Sequence, residues 1–312
     1  MSSTELRTRL RNALRGEAYM EELFATIYGT TGSVFYVDSV SGNASWNGLS
    51  SNRAITTLDA AVALCTANKG DIIFLMPGHK EDIGNAQIDL DVAGISVIGL
   101  GHGTARPQFT YDHANASIDI GANGVVVRNI VLYPSVTDVL VGIDIETTVT
   151  DTLLEDIEAI PGEDGAGVDD FDKVVELKAT CTRTTIRRLK VRQHASGAGY
   201  IAGIHLNDAS DDVLIEDCDI YILGAGVIAP INGITTLSTN LRIRGCTLMT
   251  DAEPGIELVT GTTGILQNNH IFTDLATIDA AVVADTMAAF ENYYVEVGPE
   301  SGALIGTPSV DD

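Results

Sequence analysis

A repeat constrains this chain more than any other feature. From about residue 88 to 285, short β-branched strings with a polar residue in the middle recur: VVVRNIVL, LLEDIEAI, TIRRLKVR, LIEDCDIY, RIRGCTLM and ILQNNHIF. Anchored on Val127, Leu154, Ile186, Ile215, Ile243 and Leu266, they are spaced 27, 32, 29, 28 and 23 residues apart. A weaker string lies between anchors: GIDIE, VVELK, GIHLN, GVIAP and GIELV. Apolar residues two apart put alternate side chains on opposite faces of a strand, which excludes helical repeats. No LxxLxL frame recurs, which excludes leucine-rich repeats. What remains is an all-β chain, a right-handed single-stranded parallel β-helix. Each coil contributes two or three short strands, with Gly, Asn or Asp at corners that need a positive φ. About seven coils at ~4.8 Å each would stack to ~35 Å. Cys218 and Cys246 fall three residues after their anchors in successive coils, so they are read as stacked, inward, unbridged thiols.

The ends of such a stack need caps. In residues 33–78, SVFYVDS alternates as a strand, TTLDAAVALCTANKG reads as a short capping helix ended by Gly70, and DIIFLMPG reads as a strand stopped by Pro-Gly. The division expected is an amphipathic helical arm over 1–32, an N-terminal cap over 33–78, coils over 79–285 and a C-terminal cap or strand over 286–312. In that last part SGALIG could add one more strand. The arm is drawn from residues 2–27, where Leu6, Leu10 and Leu14 recur every four residues beside a basic stripe of Arg7, Arg11 and Arg15.

Charge separates these parts. The chain carries 18 basic and 43 acidic residues, a formal −25. A positive surface for nucleic acid is therefore not expected. Residues 1–15 nevertheless hold four Arg against one Glu. No apolar run is long enough to span a membrane, and the N-terminus has no apolar core of a secretory signal.

The segment Tyr36–Gly78 resembles the opening of right-handed β-helix proteins of the pectate-lyase-like superfamily, through YVDS, WNG (46–48), TLDAA (57–61), GD (70–71) and PG (77–78). VIGLGHGTARP and the closing SGALIG are similar to sequences from tailed bacteriophages. The resemblance covers most of 33–310 and leaves out the N-terminal arm. It implies the β-helix fold, and either a virion part or a polysaccharide-cleaving enzyme, since the superfamily includes pectate lyases, polygalacturonases and tailspike glycosidases.

The enzymatic implication is tested on residues. Three fragments are similar to polygalacturonase motifs: Gly101-His102-Gly103, Asp211-Asp212 and Arg242-Ile243-Arg244. Their order departs from the family's, whose NTD motif has no counterpart here. His102 should sit several coils from Asp212, so GHG reads as a tight turn. A lyase-like calcium site with a basic partner could draw on Asp208, Asp211, Asp212, Asp217 and Asp219 beside Arg187, Arg188, Lys190 and Arg192. The plainer reading is a surface ladder of opposite charges between coils. EDGAGVDDFDK (163–173) reads as a solvated acidic loop, and a calcium loop is its alternative. The six histidines (His79, His102, His113, His194, His205 and His270) show no metal-ligand spacing, and the single Trp46 lies in the cap.

The expectation is therefore a non-enzymatic capsid decoration (cement) protein of a tailed phage, with no catalytic residue, cofactor or metal. Its partner would be the major capsid protein, bound through Leu6, Arg7, Arg9, Leu10, Arg11, Leu14 and Arg15. It would be made in the host cytoplasm and sit on the capsid surface, with no nucleic-acid or membrane partner. The resemblance further implies a homotrimer. The alternatives are a tailspike or fibre protein recognising host polysaccharide, and a carbohydrate lyase or hydrolase.

Overall fold

A computed structural model describes residues 32–162, 169–195, 202–224, 226–233, 235–251, 253–275, 282–284, 286–296 and 309–311. The chain winds as a right-handed parallel β-helix with three sheets of ten, ten and eight strands. Each coil visits sheet 1, then sheet 2, then sheet 3. The strands Val126–Arg128, Val131–Pro134 and Val139–Ile145 make up one coil. Among the described residues every pairing between coils is parallel, and the one antiparallel pair joins Asn292–Glu296 to Ser309–Asp311 at the C-terminal end. Ten strands at ~4.8 Å give a stack of ~43 Å.

The register is the one the repeat predicts. Val127, Leu154, Ile186, Ile215, Ile243 and Leu266 pair in succession along sheet 1. All six are buried, at 2% exposure or less. They form a ladder in which each side chain packs on its equivalents above and below. Alternation sends the neighbours on either side outward. One weaker string is misplaced by the sequence reading. The strand after GVIAP is Ile231–Gly233, because Pro230 has no N–H for a sheet interior and marks the strand's start.

Corners recur as regularly as strands. Between sheets 1 and 2 a single residue with positive φ turns each coil: Asn129, Asp156, Arg188, Asp217, Gly245, Asn268 and Glu291. Asn and Asp tolerate this conformation better than other side-chain-bearing residues. At the next sheet 3-to-1 corner Gly264 has no substitute, since a Cβ there would lie 1.8 Å from the Leu241 carbonyl oxygen. Just past the sheet 1–2 turn the inward position reads Ile157, Leu189, Cys218, Cys246, Asn269 and Asn292. The cysteines are free and buried. Asn269 donates to the Ile243 carbonyl and Asn292 to the Leu266 carbonyl, so the buried amides are hydrogen-bonded.

At the N-terminal end both faces of Val34–Val37 and Ile72–Leu75 are buried. Phe35, Ile73 and Leu75 join the main core, while Tyr36, Phe74, Ala54 and Ile98 form a smaller cluster outside it. The predicted short helix is present as Leu58–Val62, with Leu58, Ala61 and Val62 inward. His79 is fully buried beneath it. Its Nδ1 accepts from the Ser39 amide at 3.0 Å, and its Nε2 lies 3.0 Å from Glu81. It is a structural histidine. The arm residues Leu6, Arg7, Arg9, Leu10, Arg11, Leu14 and Arg15, and the SGALIG segment, lie outside the described residues.

Candidate functional site

The outward faces of the three sheets differ in charge pairing. On sheet 1 the outward column runs Arg128, Glu155, Arg187, Glu216 and Arg244, alternating in sign coil by coil. Glu155 holds Arg128 and Arg187 at 2.6 Å, and Arg244 reaches Glu216 at 2.7 Å. Sheet 2 adds Lys190–Glu158 at 2.8 Å and an Arg192–Asp219 pair. The corners add Arg183–Asp151 at 2.6 Å and Arg242–Asp212 at 2.7 Å. This is the expected surface ladder.

The acidic group singled out in the sequence is dispersed by it. Asp211 and Asp212 lie at the sheet 3-to-1 corner, Asp217 at the sheet 1-to-2 corner and Asp219 on sheet 2, while Asp208 follows a sheet 3 strand. Arg188 pairs one coil back, with Glu155 and Asp156, and not with any of these aspartates. His102 sits in a turn with Gly101 and Gly103 both at positive φ, between sheets 1 and 2, at a different corner from Asp212. Of the polygalacturonase-like fragments, Asp211-Asp212 and Arg242-Ile243-Arg244 therefore meet, in the Arg242–Asp212 pair, while Gly101-His102-Gly103 joins neither.

Sheet 3 behaves otherwise. Its outward column, one residue per coil, is Asp89, Asp119, Asp144, Glu176, His205, Asn232 and Glu257. Carboxylates predominate, and those in the middle are buried: Asp119 is 9% exposed, Asp144 7% and Glu176 4%. Asp119, Asp144 and Glu146 each bring an oxygen within 4.8 Å of the others. Ser117 donates its hydroxyl to Asp119 at 2.6 Å. Lys178, just past the end of the next strand, Phe171–Leu177, reaches Asp144 at 2.6 Å and Glu146 at 2.8 Å. A cavity of about 370 Å³ opens beside them, lined by Asn85, Gln87, Asn115, Ser117 and Asp144.

The electrostatics follow from burial. Desolvation pushes the Asp144 carboxyl up to about 6 and outweighs the opposing Lys178 ammonium. Asp119 is raised too, first by burial and then by the charges of Glu146 and Asp89, against its bond from Ser117. Burial disfavours the charge on Lys178, yet the bonds and charges of Asp144 and Glu146 prevail and raise it. Such a lysine is a poor base. Its ammonium also takes the place between Asp144 and Glu146 that a divalent cation would need, so these carboxylates do not fit a metal centre. Further along the column, His205 Nδ1 lies 3.0 Å from the Asn232 amide oxygen, and Asn232 donates to Glu257 at 3.3 Å. Burial lowers the basicity of His205.

In the loop that might have held calcium, residues 163–168 lie outside the described residues. Within its remainder Asp172 is pushed up to about 6 by burial and then by Asp138 and Asp170. Phe171 packs edge-on against Tyr111 at 4.9 Å.

No protein-family model and no curated protein matches the sequence. Among solved structures the chain is similar to a rhamnogalacturonan lyase. The TM-score is 0.51 and the identity 13%, over 77% of this chain and 67% of that one. Two structures of a GH136 lacto-N-biosidase from Eubacterium ramulus align with TM-scores of 0.38 and identities of 11% and 12%. They cover 85% and 92% of this chain, and 68% and 72% of theirs.

The expectation of a non-enzymatic chain is corrected here. The coil is a fold shared with a carbohydrate-cleaving enzyme. Sheet 3 also carries buried carboxylates beside a cavity. The similarity to the lyase supports the parallel β-helix fold and carries no link to a phage, a capsid or a trimer. The sequence reading missed Asp119, Asp144, Glu146 and Lys178. The signal was present as the polar middles of IDI, GIDIE and VVELK, one coil apart, and a search for acids adjacent in sequence passes over it.

Proposed function

We propose that the chain is a carbohydrate-active enzyme that cleaves glycosidic bonds on the outer face of sheet 3. One observation carries the reading: Asp144, held near pH 6, lies beside Asp119 at the edge of a polar cavity. A carboxyl that keeps its proton close to neutrality is suited to protonate a leaving glycosidic oxygen. A second carboxylate within 4.8 Å is nearer to the ~5 Å spacing of retaining glycosidases than to the wider spacing of inverting ones.

In this mechanism Asp144 gives its proton to the departing oxygen as the C1–O bond breaks, and Asp119 takes the sugar's C1. Water, deprotonated by Asp144, then releases the sugar and restores both groups. Lys178 holds the Asp144 carboxyl in place. Asn85, Gln87, Asn115 and Ser117 supply hydrogen-bonding partners for sugar hydroxyls. The shared fold with a rhamnogalacturonan lyase supports a carbohydrate substrate. Hydrolysis is favoured over elimination because the cation on this face nearest Asp144 is a fully charged, ion-paired lysine and not a base.

The test is release of reducing sugar from a panel of polysaccharides. Asp144→Asn and Asp119→Asn should each lower kcat by ~10²-fold or more while the fold is retained. An unsaturated, ultraviolet-absorbing product would overturn hydrolysis. Full activity in both variants would overturn the site.

A further inference from the structure

The charge on sheet 3 also bears on which glycan can lie there. Asp89, Asp119, Asp144, Glu176 and Glu257 project from one column, with Glu146 alongside. Among the described residues two lysines face them: Lys173, 3.3 Å from Glu176, and Lys178. Carboxylates outnumber cations on this face, and the whole chain stands at −25. On sheets 1 and 2, Arg187, Arg188, Arg192 and Arg244 are each bound up against an acid of the neighbouring coil. A field of one sign in a partly desolvated cleft concentrates ligands of the opposite sign and repels its own.

Two further observations point to a ligand. Asp144 is more than nine-tenths buried, and its Oδ1 has no hydrogen-bond partner although Oδ2 meets Lys178. The adjoining cavity is lined by the amides of Asn85, Gln87 and Asn115, the Ser117 hydroxyl, the Asp144 carboxyl and the apolar Ala116, Leu140 and Val141, a mixture that suits a sugar ring and its hydroxyls and holds no cation for a carboxylate. Asp89, Asp119, Asp144 and Glu176 sit on four successive coils, so the carboxylates repeat at ~4.8 Å. That step is close to the length of one sugar unit in an extended glycan.

We infer that the sheet 3 face takes a glycan bearing protonated amino groups, held by the column's carboxylates outside the catalytic pair, and turns away polyuronates. This rests on sheet 3 being the substrate face, as proposed above. Asp89, exposed at the open end of the column, would hold the ammonium of the sugar next to the one cleaved at Asp119 and Asp144.

The test uses the full chain carrying Asp144→Asn, so that binding is read without turnover. Three hexasaccharide probes are titrated by calorimetry at low salt: glucosamine, N-acetylglucosamine and galacturonate. The glucosamine oligomer should bind ~10-fold or more tightly than the N-acetylated one, with the advantage shrinking as salt is raised. Adding Asp89→Asn should cut that advantage by ~3-fold or more, with an unchanged melting temperature showing that the fold is intact. Equal binding of the first two probes, stronger binding of galacturonate, or no binding at all overturns the inference. If a polyuronate is cleaved in an Asp144-dependent way, the inference falls and the catalytic reading stands. If glucosamine oligomers bind as described and no glycan is cleaved, the catalytic reading falls instead.

Discussion

Replacing Asp144 by Asn should make the protein more stable while removing its activity. In the folded chain the carboxyl titrates at about 6, against 3.8 for an unperturbed aspartate. Burial is the larger cause, and Lys178 pulls the other way. A carboxyl raised by folding destabilises the fold once it ionises. At pH values well below about 4 it is protonated in both states and contributes nothing. Between about pH 4 and 6 the unfolded chain gives up the proton first, so stability falls as pH rises. Above about pH 6 the penalty is complete, and at 1.36 kcal/mol per tenfold shift it amounts to about 3 kcal/mol. Asn keeps the shape and still accepts a hydrogen bond from Lys178, but it loses the charge pair. The titration at about 6 already contains that pair's pull, so no further loss is subtracted. The variant should therefore gain up to about 3 kcal/mol at pH 7.5 and almost nothing at pH 4. Urea unfolding at the two pH values measures this, and the difference between parent and variant isolates Asp144 from the other carboxylates. A variant less stable than its parent at pH 7.5 would refute the reasoning, since the Lys178 pair would then outweigh burial.

Other consequences follow from the same geometry. Removing Lys178 as Lys178→Met should raise Asp144 further and move the alkaline limb of the activity profile to higher pH; an unmoved limb would exclude Asp144 as the proton donor. Arg188→Ala removes an exposed corner pair with Asp156 and one of three arginines on Glu155, which keeps Arg128 and Arg187, so it should cost about 1 kcal/mol in urea unfolding and leave glycan cleavage unchanged. Ile215→Ala opens a cavity in the sheet 1 ladder and should cost about 3 kcal/mol, read as a lower urea midpoint with the same slope.

The fold was legible because a solenoid reports its register in one dimension. Six anchors chosen by alternation alone turn out to be paired residue by residue, since a slip of one would turn every side chain to the other face. Free, inward Cys218 and Cys246 followed from the same frame. GVIAP was misplaced because Gly and Ile in alternation resemble a strand, whereas Pro230 delays the strand to Ile231. The candidate site was not legible by the same means. Asp211 and Asp212 draw the eye as neighbours in sequence, yet one accepts from Thr239 and the other pairs with Arg242 at a corner. Asp119 and Asp144 are one coil apart in sequence and side by side in space.

The same strand pattern yields a charge-paired surface on one side of this protein and a carboxylate-rich one on another, and pairing decides which. Each short strand puts a polar residue outward at its middle. On sheet 1 those residues alternate Arg, Glu, Arg, Glu, Arg, so every charge finds its opposite one coil away. Exposed pairs of that kind neutralise one another and leave little field for a ligand. On sheet 3 the alternation fails: Asp89, Asp119, Asp144 and Glu176 follow one another. Like charges stacked at ~4.8 Å and half withdrawn from water cannot all stay ionised, so a proton is retained close to neutral pH. A coil whose charges were selected only for stacking would have placed lysine or arginine at position 119 or 176, as it does at 187 and 244 on sheet 1. Keeping carboxylates there costs stability, and the acid–base chemistry on a bound ligand proposed above would account for that cost.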